Sequence, residues 1–190
     1  MFTWNFQYVS KARLTETLNQ LMINSEKGDV LIRIHTAIHL KEEAVDLAKY
    51  IKKIVPNAHI FGTSTTAVFF HGKLLPNQCV ISVTLMDKAK VDTVMIPAFD
   101  KKTKDMISGS ELCDRTADYI NLEAVKLMLA FTTVKYREVS AFVDEVNEKY
   151  PKVQMIGGIA VSSDAFEKNK HHTGFVFDEK TWSDEAMLIA

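Results

Sequence analysis

Cysteine, proline and glycine are all scarce here: the 190 residues include two Cys, four Pro and seven Gly. Cys79 and Cys113 fall in segments that read as a strand and a helix. They build neither a disulfide framework nor a CxxC site, so buried free thiols are expected. The glycines do not make a phosphate cradle either. A P-loop needs GxxxxGK[ST], but the glycine after Gly62 is Gly72, followed by Lys73 and Leu74. The dinucleotide pattern GxGxxG is also absent, and no cofactor is indicated. No apolar run approaches the roughly 18 residues needed to span a bilayer, and the start MFTWNFQYVSKARL lacks a basic stretch followed by an apolar one. A cytoplasmic chain with no membrane partner is expected. Lys plus Arg number 23 against 24 Asp plus Glu. With no net field and no basic stripe, nucleic acid is not an expected partner.

What is present is apolar patterning. With 47% hydrophobic residues the chain can bury a sizeable core, and residues 1–190 read as a single domain. Phe2, Trp4, Phe6 and Tyr8 alternate with Thr3, Asn5 and Gln7, the period of a strand with one buried face. Ser10 then caps a helix carrying Leu14, Leu18, Leu21 and Met22 at helical spacing, which ends near Gly28. A strand Val30–His35 precedes a helix from about Leu40 to Val55, stopped by Pro56, and a short strand His59–Phe61 runs into Gly62-Thr-Ser-Thr-Thr66.

Because proline is rare, its recurrence in one phrase is informative. Ninety-five residues later Val139, Phe142, Val143, Val146 and Tyr150 form a second helical stripe, Pro151 stops it, Met155 replaces Ile60 and Gly157 falls on Gly62. Upstream, Val125, Leu127 and Leu129 take the places of Val30, Ile32 and Ile34. The expectation is internal duplication, with repeat halves at about 29–98 and 124–190. Each half continues with strands that return as hairpins: Ala67–His71, Cys79–Leu85 and Val91–Ile96 in the first, Thr173–Phe177 and Ala186–Ala190 in the second. The charged stretch Asp100–Asp105 joins the halves and leads to a helix begun by Ser108 with Glu111 three residues on. The expected fold is α/β (mixed α+β): duplicated strand-helix-strand-hairpin units forming a mixed sheet structure covered by helices.

Ligands gather beyond the carboxyl ends of parallel strands. That makes Gly62, Thr63, Ser64, Thr65, Gly157 and Gly158 candidate ligand-binding residues, facing one cleft if the halves pack about a pseudo-twofold axis. The alternative is that each glycine merely ends its strand. Arg33 stands between apolar Ile32 and Ile34 and can reach the opposite face, where a cleft would lie; Arg115 either clamps a carboxylate ligand or pairs locally with Glu111 or Asp118. Ser64 lacks the GxSxG setting of an activated serine and is not assigned a catalytic role. His35 with His39, and His171 with His172, lack the spacing of a metal pair on one helical face, so no metal site is assigned.

The phrase Pro56-x-Ala58-x-Ile60-x-Gly62-x-Ser64-Thr65, followed by hairpin strands and a repeat ending Gly157-Gly158-x-Ala160, resembles the N-terminal part of the FIST sensory domain over roughly residues 25 to 190. That resemblance implies an input module of a bacterial signal-transduction protein, non-enzymatic itself, that senses a small ligand such as an amino acid or similar polar metabolite. It also implies a C-terminal signalling output, of which histidine kinases and diguanylate cyclases are examples in the family. The chain departs from the family where Cys commonly follows the first glycine and Gly follows the Thr by two: here stand Thr63 and Ala67. It departs again after the paired glycines, where Val161 and Ser162 replace Gly-Asp and an aspartate comes only at Asp164. The family's usual C-terminal half does not follow, and the chain stops inside the apolar run Ala186–Ala190, so an input domain cut from a longer signalling chain is expected. A homodimer is a further expected arrangement. The alternatives are a hydrolase or acyl transferase using Ser64 or a cysteine, and a ligand-free dimerisation scaffold.

Overall fold

The structure is a computed structural model that describes residues 2–22, 28–37, 41–100, 102–161 and 174–190. Alternation along strand β2 (Asp29–Thr36) sets the layering. Val30, Ile32 and Ile34 pack with Leu14 and Leu18 of helix α1 (Lys11–Met22) and with Ala44, Leu47, Ala48 and Ile51 of α2 (Lys41–Ile54). Leu31, one residue out of phase, joins a different cluster with Phe61, Leu188 and Val176. One strand therefore serves two cores.

The first sheet has the order β1, β6, β2, β3, β10, β11, where β1 is Phe2–Gln7, β3 Ala58–Ser64, β6 Cys79–Met86, β10 Val176–Phe177 and β11 Trp182–Ser183. The second has the order β7, β12, β8, β9, where β7 is Val94–Pro97, β8 Leu127–Thr133, β9 Gln154–Ala160 and β12 Ala186–Ile189. Helices α3 (Gly109–Tyr119) and α4 (Val139–Lys149) lie on the second sheet, where Leu112, Cys113, Phe142 and Val146 meet Met128, Met187 and Ile189. The faces without helices pack on each other through Leu31, Phe61, Ala160, Val176 and Leu188. The result is a mixed α/β fold with its helices on the outer faces of two stacked sheets. Each such buried Leu or Phe contributes about 1.5–3 kcal/mol of burial, spread over three clusters.

Helix ends follow local chemistry. Glu42 and Glu43 open α2 and Lys52 and Lys53 close it, each charge opposing the helix dipole. The Ser108 hydroxyl accepts from the Glu111 amide at 3.2 Å, capping α3 as the Ser-x-x-Glu spacing predicts. Both cysteines are buried free thiols, as expected.

Four strands of each sheet share one order and one set of directions. In the first, β2 runs parallel to β3, β6 is antiparallel to β2, and β1 is antiparallel to β6. In the second, β8 runs parallel to β9, β12 is antiparallel to β8, and β7 is antiparallel to β12. The strand expected at Val91–Ile96 spans Val94–Pro97 and pairs in the second sheet. The register is also corrected. Ile32 pairs with Ile60 on the α2 side, and Met128 pairs with Met155 on the α4 side, so the β8 residue that faces its helix layer as Ile32 does is Met128, where Leu127 was expected. The sequence misled because the run Leu127–Phe131 that opens β8 is apolar at every position, which leaves its phase undefined. The aromatic stripe of β1 is also only partly buried: Phe6 and Tyr8 pack on the first core, but Phe2 is exposed at the start of this edge strand.

Two hairpins complete the chain. Strands β4 (Ala67–Phe70) and β5 (Lys73–Pro76) form a separate two-stranded sheet, closed by His71 and Gly72, both at positive φ (48° and 75°). That is the two-residue turn whose twist suits a hairpin. The pair β10 and β11 follows the second-sheet strand β9 in sequence but pairs with β3 of the first, Val176 opposite Thr63 and Phe177 opposite Gly62.

Candidate functional site

The helix-free face of the first sheet changes character from one side to the other. Around β3 and β10 it is apolar and meets the second sheet. Toward β1 and β6 it carries Asn5, Ser82 and Arg33 in one cross-strand row with Phe61, and Val80, His35 and Thr63 in the next row with Val176. Polar residues on otherwise apolar strands are costly to bury unless they bond or bind something.

These rows form the floor of a cavity of about 640 Å³. Asn5, His35, Thr63, Val80 and Ser82 line the floor. One wall is Ser64, Thr65 and the hairpin strand Ala67–His71; the other is Phe131 of β8 with Gly158 and Ile159 of β9. The size suits a small metabolite.

The floor is organised by short bonds. The Ser82 hydroxyl donates to Asn5 Oδ1 at 2.6 Å, which turns the Asn5 amide nitrogen into the remaining donor. His35 Nδ1 and Thr63 Oγ1 share a hydrogen bond of 2.9 Å across β2 and β3. Burial, and then the charge of Arg33, hold the His35 pKa below its ordinary 6.5, so the ring is neutral at pH 7. Its ring centroid lies 6.1 Å from that of Phe131.

Ser64 and Thr65 act as fasteners. Ser64 Oγ accepts the Phe175 amide at 2.8 Å, the Ser64 amide donates to Phe175 O at 2.9 Å, and Ser64 O accepts the Val161 amide at 3.2 Å. The end of β3 is thereby tied to the end of β9, which brings Gly158 to the cavity. The Thr65 amide donates to Thr36 O at 2.8 Å, and its hydroxyl donates to Ala67 O at 2.9 Å, fixing the exit into the hairpin.

Of the residues singled out from sequence, Thr63, Ser64, Thr65 and Gly158 share this cavity. Gly62 and Gly157 sit beside it in packing roles. A Cβ on Gly62 would overlap the buried Phe177 ring, and one on Gly157 would overlap Ala130 O. At Gly158 the nearest atom to an added Cβ is Phe131 Cε1 at 3.5 Å, an ordinary contact. Arg33 shares the floor's row without reaching the cavity surface; its Nε is buried and lacks a hydrogen-bond partner among the described residues. Arg115 is elsewhere, on α3, paired with Glu111 at 2.6 Å. His39, His171, His172, Thr173 and the departures at Ser162 and Asp164 lie outside the described residues. Among those described, no group of three His, Cys, Asp or Glu could hold a metal ion.

Sequence reasoning missed Asn5, His35 and Ser82 as parts of one site, along with the hairpin strand and Phe131. A signal existed: Asn5, His35, Thr63 and Ser82 are polar interruptions in phase with the inner faces of their strands. What the sequence did not supply was the order β1, β6, β2, β3 that sets these interruptions side by side.

Among the described residues the cavity holds no activated nucleophile. Ser64 is 4% exposed and its hydroxyl already accepts a backbone N–H. Burial pushes the Cys79 thiol up to about 12, far from thiolate chemistry. The His35–Thr63 pair has the cation Arg33 nearby, the opposite of the carboxylate that steadies a catalytic imidazolium.

A family described as FIST N domain matches residues 31–190. Neither the comparison with curated proteins nor that with solved structures gives a significant match.

Proposed function

The chain belongs to the FIST N domain family of signal-transduction sensory domains, and from that premise we propose that the cavity between the hairpin, the floor of the first sheet and the edge strand β9 is its sensing site. The observation that carries this reading is convergence: Thr63 to Thr65 and Gly158, 95 residues from Thr63, line one 640 Å³ space together with the half-buried His35 and a bonded Asn-Ser pair. A ligand there touches both sheets and the hairpin at once. Its binding energy is therefore available to shift their relative positions, which is what a sensor requires.

The domain is non-enzymatic in this reading, because Ser64, Cys79 and the His35–Thr63 pair each lack activation. Its partners are a small ligand, a signalling output module and, as a route for the signal, a second copy of the chain. Among the described residues no helix is long and apolar enough to cross a membrane, and a cytoplasmic setting is part of the proposal. The shared order of four strands in each sheet supports descent from one duplicated unit, with repeats opening at β1 and β7.

A thermal-shift screen of small metabolites, amino acids included, tests the proposal. A ligand at about 100 times its Kd stabilises the native state by about 2.7 kcal/mol. The shift should vanish in Gly158→Leu, which fills the cavity from its edge. No shift from any metabolite would favour a ligand-free scaffold, and turnover of activated esters lost in Ser64→Ala would favour the hydrolase.

A further inference from the structure

The chemistry of the wall narrows the ligand further, on the premise that the cavity is the sensing site. Among the described residues no Asp, Glu, Lys or Arg lines it. Ser82 spends its only hydroxyl proton on Asn5 Oδ1, so of that pair the Asn5 amide nitrogen is the donor left and the Ser82 oxygen is an acceptor. The one formal charge in the floor's rows is Arg33, between Ser82 and Phe61, with its Nε unpartnered and no ion pair among the described residues. A half-buried guanidinium with no acid beside it lacks its usual compensation. Beside Ser64, Thr65 and His71, the wall carries the rings Phe70 and Phe131 and the aliphatic Val68 and Ile159.

An ammonium group entering this space would give up its water and find no carboxylate among the lining residues, with the Arg33 cation in the floor's row nearby. A carboxylate would find the Asn5 amide nitrogen as a donor and the Arg33 charge in the same row. We infer that the cavity takes a flat, largely apolar carboxylic acid in its anionic form, an aryl or heteroaryl acid, with its ring among Phe70, Phe131 and Ile159 and its carboxylate at the Asn5 amide, within the field of Arg33 in the same row. Free amino acids, whose ammonium finds no carboxylate here, are discriminated against.

The test is calorimetric titration of the full chain with an isosteric set: benzoate, benzamide, benzylamine and phenylalanine. Benzoate should bind more tightly than benzylamine and phenylalanine by about tenfold or more, which is about 1.4 kcal/mol. Arg33→Met, which keeps the side-chain volume, should weaken benzoate by about tenfold and leave benzamide within about twofold, while Arg33→Lys should retain part of the benzoate affinity. Circular dichroism melts of both variants establish that they are folded. Benzylamine or phenylalanine binding as tightly as benzoate would overturn the inference, as would benzoate affinity indifferent to Arg33→Met. If this set fails while another metabolite class binds and is blocked by Gly158→Leu, the ligand class is wrong and the sensing site stands. If nothing of any class binds, both fall.

Discussion

Replacing the three glycines one at a time separates packing from binding. Gly62 lies against Phe177, a ring with no exposed surface, and an added Cβ would overlap the ring atoms. Forcing one methyl into a filled core costs about 1–3 kcal/mol. Alanine recovers about 0.4–1 kcal/mol by restricting the unfolded chain, so Gly62→Ala should destabilise by about 1–2 kcal/mol. For a domain of this length that lowers Tm by roughly 2–8 °C. At Gly158 the same methyl meets Phe131 at 3.5 Å and otherwise enters the cavity. Only the unfolded-state gain remains, so Gly158→Ala should leave Tm unchanged or raise it by a few °C, of the order of 1–4 °C. Gly157→Ala should behave like Gly62→Ala, since the overlap is with the Ala130 carbonyl. Thermal melts and urea titrations with an unchanged m-value read these effects. A Gly62→Ala, Phe177→Leu double variant should regain part of the loss relative to additivity, because the ring is the obstacle. Equal losses at Gly62 and Gly158, or strict additivity in the double variant, would refute the reasoning.

Three further predictions concern single side chains. Ser64→Ala should cost about 1–3 kcal/mol, read by urea unfolding, because it strands the buried Phe175 amide. His35 has its folded pKa depressed below 6.5, so the unfolded chain binds more protons as pH falls. Its stabilising contribution is whole above about 6.5 and declines as pH drops toward the folded value, so His35→Gln should flatten the slope of stability against pH over that interval. Arg115→Ala, which breaks a surface pair with Glu111 and stands apart from the cavity, should change stability by no more than about 0.5 kcal/mol and leave ligand affinity intact.

The mixed α/β class and most of the elements were legible in the sequence, though not the stacking of two sheets, for reasons particular residues make plain. Pro56 and Pro151 stop helices, Ser108 and Glu111 cap one, and Ala44, Leu47, Ala48 and Ile51 mark the buried side of another. The phase of β8 was not legible, because Leu127, Met128 and Leu129 are alike in polarity while facing opposite layers. Nor was the sheet that β7 joins, or the pairing of β10 with β3, since both are long-range choices that leave no local mark. Four of the eight residues proposed from sequence reached one cavity because they sit at the ends of the parallel strands; Asn5 and Ser82 went unnoticed because only the strand order makes them neighbours of His35.

Amide NMR mapping of the best hit from the metabolite screen tests the central claim most directly. The account predicts that shift changes concentrate at Thr63, Thr65, Phe70 and Gly158, from both sheets and the hairpin together, and disappear in Gly158→Leu. Changes confined to α3 around Arg115, with Gly158 and Thr65 silent, would contradict it.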